Sequence, residues 1–211
     1  ANSSLKTLSL KSGKIKLFQA SDNSLLDKSK TIALPKLVLQ YQFSDDTTLS
    51  LSGRRGYNAA GGALNWATQA YYYYDEETVD TYEFTARSNI TKDINFTANA
   101  FYNNFNGYQA LSSTRAIVNM DKTQTYGAEF DISAMITEDF QLNAGLGLLK
   151  TEITDAGENY ADATGNELNS APEITAKISG KYWLTDEFNV GISVNYVANI
   201  CEKIFVGTFV G

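Results

Sequence analysis

From Tyr126 to Leu149 the chain reads YGAEFDISAMITEDFQLNAGLGLL, an alternation of apolar and polar residues longer than a soluble sheet requires. Tyr126, Ala128, Phe130, Ile132, Ala134 and Ile136 take every second position, with Gly127, Glu129, Asp131 and Ser133 between them. After the polar turn Thr137-Glu138-Asp139 the arrangement repeats. Phe140, Leu142, Ala144, Leu146 and Leu148 share one face, and Gln141, Asn143, Gly145 and Gly147 share the other. Successive side chains of a strand point to opposite sides, so this stretch is a hairpin with one apolar and one polar face. Strands in soluble proteins average roughly 5 to 6 residues, whereas a tilted bilayer-spanning strand needs roughly 9 to 11. At about 3.3 Å per residue and a tilt of about 40°, Tyr126 to Ile136 makes an apolar band about 25 Å tall. That is the height of an outer-membrane barrel wall.

The turn recurs. FSDDTTL from Phe43, ITKDINF from Ile90, ITEDFQL from Ile136 and LTDEFNV from Leu184 share one order: apolar, hydroxyl, two charged residues, any residue, polar, apolar. Their starts lie 47, 46 and 48 residues apart. A period of about 40 to 50 also occurs in propellers, but a blade holds four short strands and each unit here holds two long ones. The expected fold class is therefore all-β, an antiparallel transmembrane β-barrel segment with short periplasmic turns and long extracellular loops. Residues 1–198 are read as one partial barrel. Residues 199–211, NICEKIFVGTFVG, lose the alternation and are read as an off-pattern tail, a truncated or frame-shifted end.

Composition agrees with a barrel and excludes other classes. A mean hydropathy of -0.26 with 43% hydrophobic residues looks soluble, because a barrel averages its lipid face against its lumen face. No apolar run approaches the roughly 18 residues of a transmembrane helix. The start, Ala1-Asn2-Ser3-Ser4, has no signal-peptide pattern, so an exported protein is expected to have begun further upstream. A net charge of -7 argues against nucleic acid as a partner. The chain has no histidine and a single cysteine, Cys201. It can form neither an internal disulfide nor a Ser-His-Asp triad, and neither a catalytic nor a metal site is expected.

Along the chain, Leu5–Leu10 and Lys14–Gln19 read as short strands, residues 20–30 as a loop, and Leu37, Leu39, Tyr41 and Phe43 as an outward row. Residues 58–74 show no alternation and read as a long loop rich in aromatics. Trp66, Tyr71, Tyr72 and Tyr73 are its candidate ligand contacts, against the plainer role of a membrane-interface girdle. The alternate positions of the strands supply a polar lumen face. Glu83, Arg87, Asn95, Asn99, Glu129, Asp131, Lys177 and Lys181 are its candidate residues, together with Glu173. The acidic loop 155–167 has carboxylates enough to hold calcium, but not the spacing of an EF-hand.

Several stretches resemble the barrel of TonB-dependent outer-membrane receptors over residues 31–198. They are Leu34-Pro35-Lys36-Leu37 before Gln40-Tyr41-Gln42-Phe43, Arg55-Gly56-Tyr57-Asn58 with Gly61-Gly62, and Tyr74-Asp75-Glu76-Glu77 leading into Tyr82-Glu83. Tyr126-Gly127-Ala128-Glu129-Phe130 is similar to the family's Tyr-Gly-x-Glu motif, and Asn169-Ser170-Ala171-Pro172 to its strand entry. The resemblance implies a 22-stranded barrel in the bacterial outer membrane, of which this chain supplies about ten strands. It also implies an N-terminal plug domain, a TonB energy-transducing complex as partner, and a ferric siderophore or other iron complex as ligand. The Arg-Gly-Tyr-Asn segment favours the iron-complex receptors over the glycan importers. No stretch here resembles a plug, a TonB box or a closing aromatic strand, so this chain alone is not expected to transport. A passive porin has the same wall physics, and a soluble surface adhesin is the third reading. Long, compositionally rich loops on one rim favour ligand capture.

Overall fold

A computed structural model describes residues 31–65, 69–112, 116–169, 171–198 and 205–210. The described strands in chain order are β1 (Lys36–Gln42), β2 (Thr47–Asn58), β3 (Gly61–Asn65), β4 (Ala70–Tyr74), β5 (Glu77–Thr91) and β6 (Ile94–Leu111). They continue with β7 (Ile117–Thr137), β8 (Phe140–Asp155), β9 (Ile174–Trp183), β10 (Asn189–Val197) and β11 (Phe205–Val210). One 3-10 helix, Glu158–Ala163, lies between β8 and β9. Nine strands form a single antiparallel sheet in the order β1-β2-β5-β6-β7-β8-β9-β10-β11, while β3 and β4 pair separately. The sheet is open, with β1 and β11 at its edges. The strands expected at Leu5–Leu10 and Lys14–Gln19, the loop 20–30, Trp66 and Cys201 lie outside the described residues. Within 199–211, β11 pairs with β10 from Asn195↔Phe205 to Val190↔Val210.

The register confirms the two faces. Across β7 and β8, Ala128 meets Leu148, Phe130 meets Leu146, Ile132 meets Ala144 and Ala134 meets Leu142; Glu129, Asp131 and Ser133 meet Gly147, Gly145 and Asn143. The apolar face lies open: Ile136, Ile178 and Ile192 are each at least half exposed. Each such side chain forgoes about half of the roughly 1.5 to 3 kcal/mol of full burial unless lipid or neighbouring protein covers it. The 211-residue chain produced by itself should therefore aggregate in detergent-free buffer, through this face and through its unpaired edges. Sedimentation checks this, and a monodisperse monomer in plain buffer would remove the lipid-facing assignment.

Two rows bound the apolar band. At one rim Tyr82, Tyr102 and Tyr126 stand directly opposite one another on β5, β6 and β7. At the other, Phe43, Ile90, Ile136, Tyr182, Leu184 and Phe188 are exposed beside the short turns. Aromatic side chains at both borders are what an interface with headgroups favours. The repeated turn has a local cause. The backbone N–H groups of Asp93, Asp139 and Glu187 donate to the hydroxyls of Thr91, Thr137 and Thr185 at 3.2 to 3.3 Å. The hydroxyl thus closes these three turns on themselves, while the first closes through backbone bonds between Ser44 and Thr47.

Beyond the tyrosine row the wall continues. β6 and β7 run to 18 and 21 residues, well past what the bilayer requires. Here the inward and outward phases exchange. Phe105 and Tyr108 are three positions apart, yet their rings meet edge to face at 5.2 Å. Gly107 lies between them at φ +69, a left-handed conformation that costs other residues energy. In β7, Met120 and Thr123 are likewise three apart and both buried, next to the register shift at Lys122/Thr123.

Candidate functional site

Two regions concentrate chemistry: the polar face inside the band, and the wall extension above the tyrosine row. On the polar face, side chains bond from strand to strand. The Thr85 hydroxyl donates to Asn99 at 3.0 Å and the Asn99 amide donates to Glu129 at 3.4 Å; one level higher, Thr81 donates to Asn103 and Asn103 to Thr125. Glu83 accepts from Ser52 at 3.2 Å and pairs with Arg54 at 3.5 Å. Lys181 lies over the Trp183 ring at 4.7 Å. Gly145 and Gly147 carry no side chain, and their absence opens a trough of about 280 Å³ lined by Glu129, Asp131, Thr175, Lys177 and Asn195. A smaller hollow of about 180 Å³ adjoins it, bounded by Asn95, Thr97, Asp131, Asn143 and Lys177. The structure so brings Asn95, Glu129, Asp131 and Lys177 to one place, with Asn99 bonded to its edge. Glu83, Arg87 and Lys181 lie outside the lining of both hollows.

Glu173 departs from its expected place. It precedes the first residue of β9, where the ladder no longer dictates direction, and its carboxylate pairs with Lys150, the residue following Leu148 on the outward column. Lys150 also pairs with Glu167 at 3.0 Å.

Above the band, residues 58–74 are not the irregular loop expected. β3 and β4 form a hairpin in which Gly61 and Gly62 face Tyr74 and Tyr73. Consecutive tyrosines hide a strand because both of its faces are used. Tyr71 and Tyr73 are exposed, while the Tyr72 hydroxyl accepts a hydrogen bond from the Ile117 N–H at 2.7 Å. Two residues that sequence reasoning missed clamp the hairpin's base. The Gln109 amide donates to the carbonyls of Ala59 and Asp75, and the Asn119 amide donates to those of Asp75 and Gly107. Tyr72→Phe is expected to cost about 0.5 to 1.5 kcal/mol by leaving the Ile117 N–H unpaired. Faster proteolytic nicking of the hairpin would register it; Tyr71→Phe, as the control, should cleave at the wild-type rate.

Acidic loop 155–167 is organised by packing and backbone bonds. Gly165 and Asn166 bond to both sides of Ile153 along the edge of β8, and the Leu168 N–H donates to Thr151. Ala163 and Leu168 pack on Met120, Ile153 and Ala156. Asp155 accepts from the Gly157 N–H. Among the described residues no three His, Cys, Asp or Glu side chains gather into a metal site. Between this loop and the β6–β7 extension lies a cavity of about 680 Å³, walled by Tyr108, Val118, Met120, Ile153, Tyr160 and Leu168. Burial and the nearby Glu77 carboxylate hold the Tyr108 hydroxyl above its ordinary pKa. On the outward side, also above the tyrosine row, Arg55 donates twice to Asp80 at 2.7 and 2.6 Å and holds that carboxyl below its ordinary pKa.

The model of the family described as TonB dependent receptor-like, beta-barrel matches residues 12–202. The chain belongs to this family. Solved receptors share the fold at low identity. The ferric yersiniabactin uptake receptor FyuA of Yersinia pestis matches with a TM-score of 0.68 at 17% identity, covering 89% of this chain and 32% of that one. The ferric preacinetobactin receptor BauA of Acinetobacter baumannii matches with a TM-score of 0.66 at 14% identity, over 89% and 30%. The siderophore receptor PiuA of the same species gives 0.61 at 18%, over 85% and 28%. The chain thus spans about a third of the length of these receptors. For a TonB-dependent receptor barrel, the Tyr-Gly-x-Glu motif acquires a physical reason. A Cβ on Gly127 would overlap the Leu148 carbonyl and the Phe101 ring, so only glycine leaves room for both at this position between Tyr126 and Glu129.

Proposed function

We propose that this chain forms part of the wall of an energised outer-membrane receptor that imports a scarce ligand, a ferric siderophore or other iron complex. The observation that carries the reading is the asymmetry of the wall. Turns are closed and short at one rim, and at the other β6 and β7 rise past the tyrosine row to hold a ligand-sized cavity. Family membership and receptors named for ferric siderophores support the same conclusion. In the whole protein the polar trough faces the N-terminal plug domain, the apolar band faces outer-membrane lipid, and the TonB complex supplies energy. The hairpin residues Tyr71 and Tyr73, exposed above the band, are contacts for the arriving ligand, with Trp66 beside them in sequence.

Uptake of radioactive ferric chelates by cells with and without the full-length gene tests this reading. Gene-dependent uptake that stops when the inner-membrane proton gradient is collapsed is the expected result. Gene-dependent uptake that survives the collapse would make the protein a passive channel.

A further inference from the structure

Resting on that reading, we infer that the cavity between the β6–β7 extension and the acidic loop receives the uncharged, hydrocarbon- or ring-bearing part of an iron chelate that carries no net negative charge. Its walls are two phenol rings, Tyr108 and Tyr160, and the aliphatic side chains of Val118, Met120, Ile153 and Leu168. None of the described lining residues is basic, and the one carboxylate among them, Glu167, is already paired with Lys150. Gln109, Asn166 and Asn169 add amides at the margin, groups that orient a neutral ligand by hydrogen bonds. A volume of about 680 Å³ suits a small molecule. Among the described lining residues a polyanionic chelate would meet no cation, and the neighbouring Lys150 is already held by Glu167 and Glu173. Burying an unpaired charge is among the costliest steps in recognition. A neutral chelate escapes that penalty and gains from apolar contact.

The test uses the full-length receptor in detergent and a panel of ferric trihydroxamates, which have no net charge, and ferric tris-catecholates, which are triply negative. Retention of radioactive iron gives the affinity of each. Wild type should hold the best trihydroxamate at least tenfold tighter than any tris-catecholate. Leu168→Ala should weaken that binding about tenfold. Asn169→Arg, at an exposed margin position with an unperturbed fold checked by its melting temperature, should narrow the gap between the classes by strengthening the anionic one. Preference for the anionic class, or pocket variants that leave strong chelate binding unchanged, would overturn the inference and leave the iron-receptor reading standing. Failure of every chelate in both classes to bind would overturn the inference, while the uptake assay separately decides the iron-receptor reading.

Discussion

Lysine at position 132 is expected to destabilise the complete barrel by about 2 to 4 kcal/mol, and lysine at position 131 by much less. The two residues are neighbours in the middle of the apolar band that β7 contributes between Tyr126 and Ile136, at one depth and in one hydrogen-bonding ladder. They differ in direction. Ile132 lies opposite Phe96 and Ala144 on the apolar face, so an ammonium there sits near the bilayer midplane and recovers only what its flexible stem can carry toward the headgroups. Asp131 lies opposite Thr97 and Gly145 and borders the polar trough. Asp131→Lys exchanges a solvated anion for a solvated cation on the same wall as Lys177, a like-charge cost of about 1 kcal/mol or less. Reversible unfolding from lipid vesicles, each variant beside wild type, measures both. Equal penalties, or a larger one at Asp131, would mean that the apolar face of the strand does not meet lipid.

The second large effect is expected at Gly107. An alanine there keeps a left-handed φ that L residues disfavour by about 1 to 2 kcal/mol. Its Cβ would also lie 2.5 Å from the Glu76 carbonyl oxygen, which belongs to the backbone and cannot swing aside; overpacking of this kind adds about 1 to 3 kcal/mol. The consequence reaches beyond stability, because Gly107 is where β6 changes phase. Without the change, Tyr108 and Ala110 would point away from Met120 and Ile153, and the cavity would lose one wall. Gly107→Ala should therefore lower the melting temperature of the full receptor and lose chelate binding in the molecules that still fold. A melting temperature and an affinity both equal to wild type would show that the strand can change phase without the glycine.

The wall was legible because its cause is local. A strand repeats every two residues whatever surrounds it, and a lipid face disfavours charged side chains, so Tyr126 to Ile136 and Phe140 to Leu148 carry the assignment without any partner strand. The turns were legible for a similar reason: a threonine bonding two residues ahead needs nothing distant. Residues 58–74 were not legible. The four tyrosines of β4 show no alternation because Tyr72 is held by Ile117 while Tyr71 and Tyr73 face out, and the anchor lies 45 positions away. Gln109 and Asn119 carry no signal in the alternation, because their role comes from the carbonyls of Ala59, Asp75 and Gly107 that the fold sets against them.

The sequence by itself determined the long antiparallel strands and which residues share their apolar and polar columns, Glu173 excepted, because these follow from backbone period and solvent. Only the tertiary structure decided which inward residues share a hollow and what lies above the band. The trough joins Asp131 to Lys177 across Gly145, three strands that register alone aligns. The upper cavity exists because Gly107 reverses one strand's phase and the acidic loop folds back along β8. Neither a backbone torsion nor a contact between distant segments leaves a period in the chain, so no reading of the alternation could reach them.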